Sequence, residues 1–418
     1  MATFATIKRE VYMEHSEETG APCVHVRYTG KGLRREEALS IETASDWTEG
    51  HRLRTSEDNG RTWSDWELLH EQWPMQDGFS KEEPVFAWCH DPVSDKVVKF
   101  VFQRLLIGEG AEAIRKLFDT GEETMFDHNF WAVSDDNGIT FGEPRQLRYE
   151  DGPGFDPDNW ADEGYLRTNN MYGGYSAIPT REGTIIYPSA GVPMEIADRG
   201  ESETVGGVIC FIGKWDPTVE NFAWETSAPI YVPHRVSGRG LAEPTIAELR
   251  DGRLLLLMRG SNIVFPPNWS GTVENGGHVW MCLSEDSGYT WSPITDLRYD
   301  TGEPFYSPSA FSKLLRHDAT GKLCWVGNIS PTPTEGNSPR HPLYIAEIDE
   351  DIPALKQDTL TVIDDRDPAT DGPKLQLSNY HVFEDREYGH LELYLTRFGE
   401  RASHWLHADA YKYTITLL

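Results

Sequence analysis

Cysteine is scarce in this chain of 418 residues and occurs at only five positions. The five thiols are far apart, odd in number and never arranged as a Cys-x-x-Cys pair. This pattern excludes a disulfide framework and a structural zinc site. We therefore predict reduced thiols in the core or on strands, at Cys23, Cys89, Cys210, Cys282 and Cys324.

The chain also lacks a long hydrophobic run. No stretch reaches the roughly 20 apolar residues of a membrane-spanning helix. A signal peptide is not indicated either, because the first 15 residues carry the charges of Lys8, Arg9, Glu10 and Glu14. The sequence as written therefore predicts a soluble cytoplasmic protein without a membrane span. A signal peptide removed beforehand would instead imply a secreted or periplasmic protein.

Positive charge is in short supply: 38 Lys and Arg residues face 68 Asp and Glu residues, which leaves a net charge of −30. Nucleic acids and anionic membrane surfaces both require clustered positive charge, so neither is expected as a partner. Strand and turn formers are abundant, with 11% aromatic residues, 37 Gly and 26 Pro. This mixture is typical of an all-β protein.

One eight-residue pattern, Ser-x-Asp-x-Gly-x-Thr followed by Trp or Phe, occurs three times. The copies begin at Ser56, Ser134 and Ser284, which lie 78 and then 150 residues apart. Because 150 is close to two periods of about 75, the spacing predicts a decayed copy in residues 207–224. Such a period gives five to six structural units in the chain.

Each copy follows one alternating segment and precedes another, so the pattern predicts a hairpin turn. Its Asp can accept hydrogen bonds from the following backbone amides, its Gly supplies a positive φ, and its aromatic ring packs into the layer below. Although every copy contains a carboxylate, the regular spacing indicates a structural role. We assign these residues no part in catalysis.

This pattern resembles the Asp box of the sialidase (neuraminidase) superfamily, whose members are six-bladed β-propellers. The resemblance implies the same fold for residues 1–418 as a single domain, with a helical or loop insertion at about residues 108–124. Binding modules carry the same box, so the box alone indicates fold rather than function. We expect the N- and C-terminal segments to pair, with blades at about 8–70, 82–148 and 172–230 and from about Leu241, Ser307 and Leu375 onward.

The segment 241–259 predicts a hairpin that turns at Asp251-Gly252. With a three-residue loop ending at Gly252, paired positions sum to 502, which puts Glu243 opposite Arg259 with Cβ atoms about 5 Å apart. A two-residue loop would break this pairing. On residues alone the pair is a cross-strand salt bridge. The segment also resembles a sialidase blade, which implies that Glu243 assists the nucleophile and Arg259 binds the substrate carboxylate.

Two further residues come from the same resemblance. Arg340 lies in a segment similar to the family's Asn-Pro-x-x-Arg-x-x-Leu stretch, which implies a second carboxylate ligand; the alternative is an arginine that caps a loop. Tyr380 lies in a segment similar to the one that presents the family's tyrosine nucleophile, and the alternative is a packed strand residue. A neutral phenol suits the reaction because the carboxylate of a sialic acid would repel an anionic nucleophile.

The resemblance weakens near the N-terminus, where no Arg-Ile-Pro segment occurs. Either Arg9 or Arg27 replaces the family's first carboxylate-binding arginine, and the sequence does not choose between them. The candidate general acid is Asp46, ten residues before the first Asp box, with Glu49 as the alternative. A carboxylate in such a loop is more often simply solvated.

The resemblance as a whole implies retaining hydrolysis of a terminal α-linked sialic acid or related acidic sugar, with a glycan or sialoglycoconjugate as substrate. This chemistry requires no metal or organic cofactor. Two alternatives stay open: a hydrolase or lyase for uronic-acid or deoxy-sugar polysaccharides, and a carbohydrate-binding propeller without catalysis. An acidic loop, Asp156-x-Asp158-x-x-x-Asp162, offers calcium ligands without the spacing of an EF-hand, and we interpret it as solvated.

Overall fold

The computed structural model describes residues 4–16, 20–69, 72–75, 78–82, 87–108, 110–150, 156, 161–198, 201–267, 269–274 and 277–418. Regular structure in these ranges is almost entirely antiparallel β-sheet. The strands form six sheets, numbered here as blades 1 to 6 in chain order. No helix within the described ranges is long and apolar enough to cross a membrane.

Blade 1 is a meander of four strands that pair in chain order. It follows strand β1 (Ala5–Met13), which belongs to blade 6. The strands of blade 1 are β2 (Ala21–Tyr28), β3 (Arg35–Ala44), β4 (Trp47–Ser56) and β5 (Glu67–Leu68). Buried and half-buried side chains alternate along β2, as expected for a strand with one face in a core.

Blade 2 contains six strands and an α-helix. They are β6 (Gln72–Met75), β7 (Gly78–Glu82), β8 (Ala87–Asp91), β9 (Lys96–Ile107), α1 (Gly110–Thr120), β10 (Met125–Ser134) and β11 (Arg145–Gln146). The sheet order is β11-β10-β9-β7-β6, and β8 also pairs with β9. Helix α1 lies within the predicted insertion, where it buries Ala113 and Ile114.

Blades 3 and 4 are also four-stranded meanders. Blade 3 consists of β12 (Ile178–Pro179), β13 (Thr184–Asp198), β14 (Glu201–Asp216) and β15 (Asn221–Thr226). Blade 4 consists of β16 (Ala242–Glu248), β17 (Leu254–Arg259), β18 (Val279–Ser284) and β19 (Thr295–Asp296). Its first strand begins one residue after the predicted start.

Blade 5 consists of β20 (Lys313–His317), β21 (Lys322–Asn328), β22 (Leu343–Asp349), β23 (Ala354–Leu355) and β24 (Thr361–Asp364). Blade 6 consists of β25 (His381–Glu384), β26 (Leu391–Thr396) and β27 (Ala410–Leu417), with β1 as its fourth strand. The predicted pairing of the two terminal segments is therefore confirmed. Residues 8–13, which were predicted within blade 1, belong to blade 6 because β1 pairs with β27.

The six sheets make the chain a six-bladed β-propeller, as predicted. The chain folds as two compact units. The first unit comprises residues 1–70, 276–279 and 296–418 and holds blades 1, 5 and 6. The second unit comprises residues 71–275 and 280–295 and holds blades 2 and 3 and nearly all of blade 4. Each unit has buried apolar clusters of its own, formed around Val26 and Leu39 in the first and around Phe100 and Tyr187 in the second.

The three sequence repeats form the same hydrogen-bonded turn. In the first, Ser56 Oγ donates to Asp58 Oδ1 at 2.9 Å and accepts from the Gly60 amide at 2.9 Å. Thr62 donates to Asp58 from its amide at 2.8 Å and from its hydroxyl at 2.6 Å. The copies at Ser134 and Ser284 repeat these four distances to within 0.1 Å. The repeated carboxylates thus stabilise turns, as predicted.

The range predicted for a decayed copy contains the turn between β14 and β15. Asp216, the last residue of β14, accepts hydrogen bonds from the amide of Thr218 at 2.8 Å and from its hydroxyl at 2.6 Å. The Ser and Gly of the pattern are missing here, and Asp and Thr lie two residues apart instead of four. The turn therefore has a carboxylate cap, and its descent from a fourth copy stays a prediction.

Replacing the three turn aspartates with asparagine should remove an acid-sensitive part of the stability. Hydrogen bonds from Thr62 lower the pKa of Asp58 to about 2, and the pKa values of Asp136 and Asp286 are also lowered. A carboxylate with a lowered pKa stabilises the fold fully above about pH 4, and this contribution is lost as the pH falls toward 2. We expect the Tm of Asp58→Asn/Asp136→Asn/Asp286→Asn to lie below that of wild type at pH 6.

That difference in Tm should shrink between about pH 4 and pH 2, when thermal unfolding is followed by circular dichroism. The matched control is Asp65→Asn, which changes an exposed carboxylate just outside the first turn. The control should leave the Tm and its pH dependence unchanged. A Tm deficit of the triple variant that stays constant down to pH 2 would contradict the electrostatic explanation.

Candidate active site

The hairpin β16–β17 of the second unit carries Glu243 and Arg259. Paired positions sum to 502 as far as Thr245 and Leu257, as the predicted three-residue loop requires. Beyond that pair a β-bulge shifts the register by one residue and makes Ala242 the Cα partner of Arg259. The predicted register is therefore correct for most of the hairpin and differs by one residue at Glu243 itself.

Glu243 and Arg259 form an ion pair despite the bulge. Arg259 Nη1 lies 2.9 Å from Glu243 Oε2, and the two side chains are only 16% and 11% exposed. Glu243 has a φ of +44°, a strained value for a residue with a Cβ. Its Oε2 is buried and accepts no well-directed hydrogen bond from any described residue. The carboxylate is thus held by charge attraction and keeps the capacity to accept a proton.

Two tyrosines that the sequence patterns did not reveal lie near this pair, both half-buried. The Tyr172 and Tyr175 hydroxyls hydrogen-bond each other, and their ring centroids are 5.9 Å apart. Ser176 Oγ lies 3.2 Å from Thr245 Oγ1, which brings this segment alongside Glu243. Burial, with the negative charge of Glu243, raises the pKa of both phenols. Both are therefore neutral at pH 7.

Buried hydrogen bonds hold the backbone between the two tyrosines. Asn129 Nδ2 donates to the Met171 carbonyl at 2.7 Å, and the Gly174 amide donates to the Tyr187 hydroxyl at 3.0 Å. Tyr187 in turn donates to Asn129 Oδ1 at 2.8 Å. A Cβ at Gly174 would lie 1.8 Å from the Pro188 carbonyl oxygen, so only glycine allows this close approach to β13.

A second buried ion pair lies beside Tyr172. Arg104 Nε and Nη2 donate to the two Asp127 carboxylate oxygens at 2.8 and 3.0 Å. The Arg104 guanidinium carbon is 5.7 Å from the centroid of the Tyr172 ring. Its positive charge lowers the pKa of Tyr172, against the stronger effects of burial and of Glu243. Arg259 acts on the pKa of Tyr175 in the same direction.

In the first unit, the predicted acid Asp46 lies in the turn between β3 and β4. It has a φ of +58°, and its amide donates to Glu42 Oε1 at 3.3 Å. The sequence did not indicate Glu42, which is only 8% exposed. Burial, followed by the charge of Asp46, raises the pKa of Glu42 to about 8. Glu42 therefore carries a proton at pH 7 next to the Asp46 carboxylate.

Arg340 acts on Glu42, because its positive charge opposes the rise in the pKa of that carboxyl group. The guanidinium is fixed by the Gln376 side chain (Nη1 to Oε1, 3.0 Å) and the Ser309 carbonyl (Nη2 to O, 2.6 Å). The structure thus places Asp46 against Glu42, with Arg340 within electrostatic range of Glu42.

Glu49, the alternative general acid, has different hydrogen-bond partners from Asp46. It accepts a hydrogen bond from the Trp47 indole at 2.7 Å, and its side chain is exposed. Its surroundings match those of a solvated surface carboxylate, which transfers protons to solvent as readily as to a ligand. Asp46 is exposed too and differs from Glu49 in lying beside Glu42, so its role as the general acid stays a prediction.

Arg27 lies among other basic side chains on the first strands of blades 1, 5 and 6. It forms an ion pair with Glu36, and burial lowers its pKa to about 10. The rings of His25 and His381 have centroids 5.8 Å apart. Burial, followed by the charges of His25, Lys313 and Arg27, lowers the pKa of His381. Since His381 is neutral at pH 7, Arg27 and Lys313 supply positive charge here, which favours an anion.

Arg9 lies in a different setting, on β1. Its Nη1 donates to Asp364 Oδ1 at 3.1 Å, and its side chain is 45% exposed. Asp364 also accepts from Arg397 Nε at 2.9 Å and from the Tyr413 hydroxyl at 2.5 Å. Arg9 therefore belongs to a network of ion pairs between β1 and the end of blade 5. Its role as a carboxylate ligand stays a prediction.

Tyr380 is part of the core of the first unit. Its side chain is 3% exposed, and its hydroxyl donates to the Val326 carbonyl at 2.7 Å. Its ring centroid lies 5.1 Å from that of Phe311. This is the arrangement of a packed strand residue, the alternative that the sequence left open. A nucleophilic Tyr380 would first have to leave Val326, and its catalytic role stays a prediction.

One group of three side chains in the described part of the chain has its ligand atoms within 4.8 Å of one another, as a metal site requires: Asp385, His390 and Glu392. Arg35 already neutralises this group, with Nη2 at 2.7 Å from Asp385 and Nη1 at 3.1 Å from Glu392. A metal ion would have to displace that guanidinium. We therefore interpret the group as a buried ion-pair network.

The acidic loop that the sequence offered for calcium is described only in part. Asp158 lies outside the described residues, and Asp156 is exposed. Asp162 caps a short 3-10 helix, Glu163–Tyr165, by accepting from the Gly164 amide at 2.9 Å. The Asp162 carboxylate therefore has a structural role, in agreement with the interpretation of this loop as solvated surface.

Three solved structures illustrate what this chain is similar to. The NanB sialidase from Streptococcus pneumoniae superposes with a TM-score of 0.60 at 12% identity, over 98% of this chain and 70% of that one. A protein of unknown function from Dyadobacter fermentans gives 0.59 at 13% identity, over 99% of both chains. The Hadza microbial sialidase Hz136 gives 0.52 at 16% identity, over 95% of this chain and 65% of that one.

These comparisons identify the class of fold. The chain is a β-propeller of the sialidase type, which confirms the fold that the repeated turns predicted. No protein-family model and no curated protein sequence matches the chain. At 12% to 16% identity the structural likeness establishes the fold alone, so the chemistry must be argued from the residues themselves.

Replacing Glu42 with glutamine should stabilise the protein at alkaline pH. The pKa of Glu42 is raised from 4.5 to about 8 on folding, so the folded state binds this proton more tightly than the unfolded chain does. Wild type consequently loses stability as the pH rises from about 4.5 to 8, and glutamine abolishes this titration. We expect the Tm of Glu42→Gln to exceed that of wild type by an amount that grows over this range and then levels off.

Thermal denaturation between pH 4 and pH 9 measures this effect. The matched control is Glu49→Gln on the same hairpin, where the exposed side chain should give a Tm curve parallel to wild type. A Glu42→Gln curve that also runs parallel to wild type would show that Glu42 is ionised at neutral pH.

Proposed function

We propose that this protein hydrolyses terminal α-glycosides of an acidic sugar of the sialic acid type, with retention of configuration. The Glu243–Arg259 pair carries the proposal: a carboxylate with unused acceptor capacity and a guanidinium lie 2.9 Å apart near two neutral phenols. Retaining hydrolysis of a sugar with an anomeric carboxylate needs a phenol, a base and a cation for the carboxylate. A fold shared with sialidases supports the proposal.

Arginines bind the substrate carboxylate in this proposal. Arg259 and Arg340 take that role by resemblance, since a planar guanidinium forms two parallel hydrogen bonds to a carboxylate. For the third ligand we favour Arg27 over Arg9. Both arginines pair with a carboxylate, but Arg27 is buried in a group of basic side chains, whereas Arg9 is 45% exposed.

Carboxyl groups transfer the protons. Glu243 accepts the proton of the attacking phenol, which the resemblance assigns to Tyr380. The resemblance assigns protonation of the leaving oxygen to Asp46. Glu42, which burial keeps protonated at pH 7, can supply the proton to Asp46. No cofactor takes part in this scheme.

Turnover of a 4-methylumbelliferyl α-sialoside, run beside neutral-sugar and uronide analogues, tests the proposal. Wild type should release the fluorophore from the sialoside in preference to the analogues. Glu243→Gln should lower kcat by about 10²-fold to 10⁴-fold, the usual contribution of a proton acceptor. The matched control is Glu248→Gln, which removes a carboxylate on the same strand that pairs with Arg181 at 3.2 Å. The control should keep wild-type kcat.

Other outcomes would reject the sialoside assignment in distinct ways. Turnover of the uronide alone would indicate the uronic-acid hydrolase, and a product with a new ultraviolet-absorbing double bond would indicate the lyase. Glycan binding without turnover of any substrate would indicate a binding propeller. Equal loss of kcat in Glu243→Gln and Glu248→Gln would show that the loss comes from removing negative charge on β16. It would not come from removing a proton acceptor at Glu243.

A further inference from the structure

The phenol of Tyr380 is poorly placed to attack a sugar. Its hydroxyl is committed to the Val326 carbonyl, its ring packs on Phe311, and 3% of the residue is exposed. Attack by this oxygen would require the ring to leave its packed position and would leave the Val326 carbonyl without that partner. A different phenol with a nearby proton acceptor would avoid both costs.

Tyr172 and Tyr175 have the features that Tyr380 lacks. Both are half-buried rather than enclosed, and their hydroxyls bond to each other. When one hydroxyl loses its proton, the other can donate a hydrogen bond to the oxygen that remains. The Arg104 guanidinium lies 5.7 Å from the centroid of the Tyr172 ring, and the positive charge of Arg259 acts on the Tyr175 phenol. These positive charges stabilise negative charge on an attacking phenol oxygen.

Glu243 supplies the base for this pair. The hydrogen bond between Ser176 and Thr245 fixes the tyrosine segment beside the strand that carries Glu243. The Glu243 charge acts on both phenols, and its Oε2 has no directed hydrogen bond to give up among the described residues. A base with a free lone pair next to a neutral phenol is the arrangement that nucleophilic catalysis by tyrosine requires.

The pair is also rigidly supported. Asn129 and Tyr187 hold the backbone on both sides of Tyr172 through buried hydrogen bonds, and Gly174 fits tightly against β13. A nucleophile must be held to within about 0.5 Å of its productive position, which such a supporting shell provides.

We propose that a phenol of the Tyr172–Tyr175 pair is the nucleophile, that Glu243 is its proton acceptor, and that Tyr380 is a core residue. This inference rests on the proposed function, since it names the attacking group of the same reaction. It replaces the assignment of the nucleophile that the sequence resemblance implies.

The reaction balances with these groups. The phenol oxygen forms a bond to the anomeric carbon while the bond from that carbon to the leaving oxygen breaks, and the leaving oxygen takes a proton from solvent water. The phenol proton passes to Glu243, directly or through the second hydroxyl. Water then attacks the anomeric carbon, the bond to the phenol oxygen breaks, and Glu243 returns its proton to that oxygen. The remaining proton of the attacking water passes to solvent.

Trapping the covalent intermediate tests the proposal. A fluorinated sialosyl fluoride forms the sugar–enzyme bond quickly and hydrolyses slowly, so the label survives digestion and mass spectrometry. Trypsin cleavage after Arg167 and Arg181 gives peptide 168–181, which contains Tyr172 and Tyr175, whereas Tyr380 lies in peptide 375–386. We expect the label in peptide 168–181 of wild type and of Tyr380→Phe.

Variants provide an independent readout. Tyr172→Phe/Tyr175→Phe should abolish labelling of peptide 168–181 and lower kcat by at least about 100-fold, with a near-ultraviolet circular dichroism spectrum like that of wild type. The matched control is Tyr149→Phe, which removes a hydroxyl bonded to the Asn170 carbonyl at 3.2 Å in the same unit. The control should keep the wild-type kcat and the label.

The outcomes distinguish a wrong nucleophile from a wrong function. Sialoside turnover with the label in peptide 375–386, or full turnover by the double variant, overturns the assignment of the nucleophile and leaves the proposed function standing. An unlabelled wild type that turns over no sialoside overturns the proposed function, and the nucleophile with it.

Discussion

The pairing of β1 with β27 is the interaction on which the rest of the first unit depends. The two strands run antiparallel from Ala5 and Leu417 to Met13 and Ala410, with one irregularity after Val11. The first strand of the chain thereby becomes the fourth strand of the last blade, so this sheet is complete only when both ends of the chain are in place. Without β1, the strand β27 would present an unpaired edge to other chains.

The buried ion pairs of this acidic chain are of two kinds. Asp364 accepts hydrogen bonds from Arg9, Arg397 and Tyr413, which together compensate the loss of water around its carboxylate. Such a group has little capacity left for a ligand or a proton. Glu243 Oε2 faces Arg259 and accepts no directed hydrogen bond from a described residue, and the Glu243 backbone is strained. Strain and unused hydrogen-bonding capacity concentrate at functional sites, so this contrast supports the proposed role of Glu243.

The features that could be predicted from the sequence depend on residues close together in the chain. The repeated turns and the register of the β16–β17 hairpin depend on bonds between residues close in the chain, whereas the bulge that strains Glu243 depends on packing. The role of a tyrosine depends on distant partners: Tyr380 bonds to Val326, 54 residues earlier, and Ser176 meets Thr245 from 69 residues away. The residues adjacent to each tyrosine do not encode these partners. For the segment that carries Tyr172 and Tyr175, the one local sign in the sequence was the Gly-Gly pair between the two tyrosines.

The β1–β27 ladder also determines how this sheet responds to a pulling force. The Leu418 amide donates to the Phe4 carbonyl at 2.9 Å, so these two residues lie at the same end of the ladder. A force that pulls Phe4 away from Leu418 breaks the hydrogen bonds of the ladder one residue pair at a time, instead of shearing all of them at once. The thermal stability of this sheet therefore depends on all the residue pairs of the ladder, whereas the force that opens it depends on a single pair.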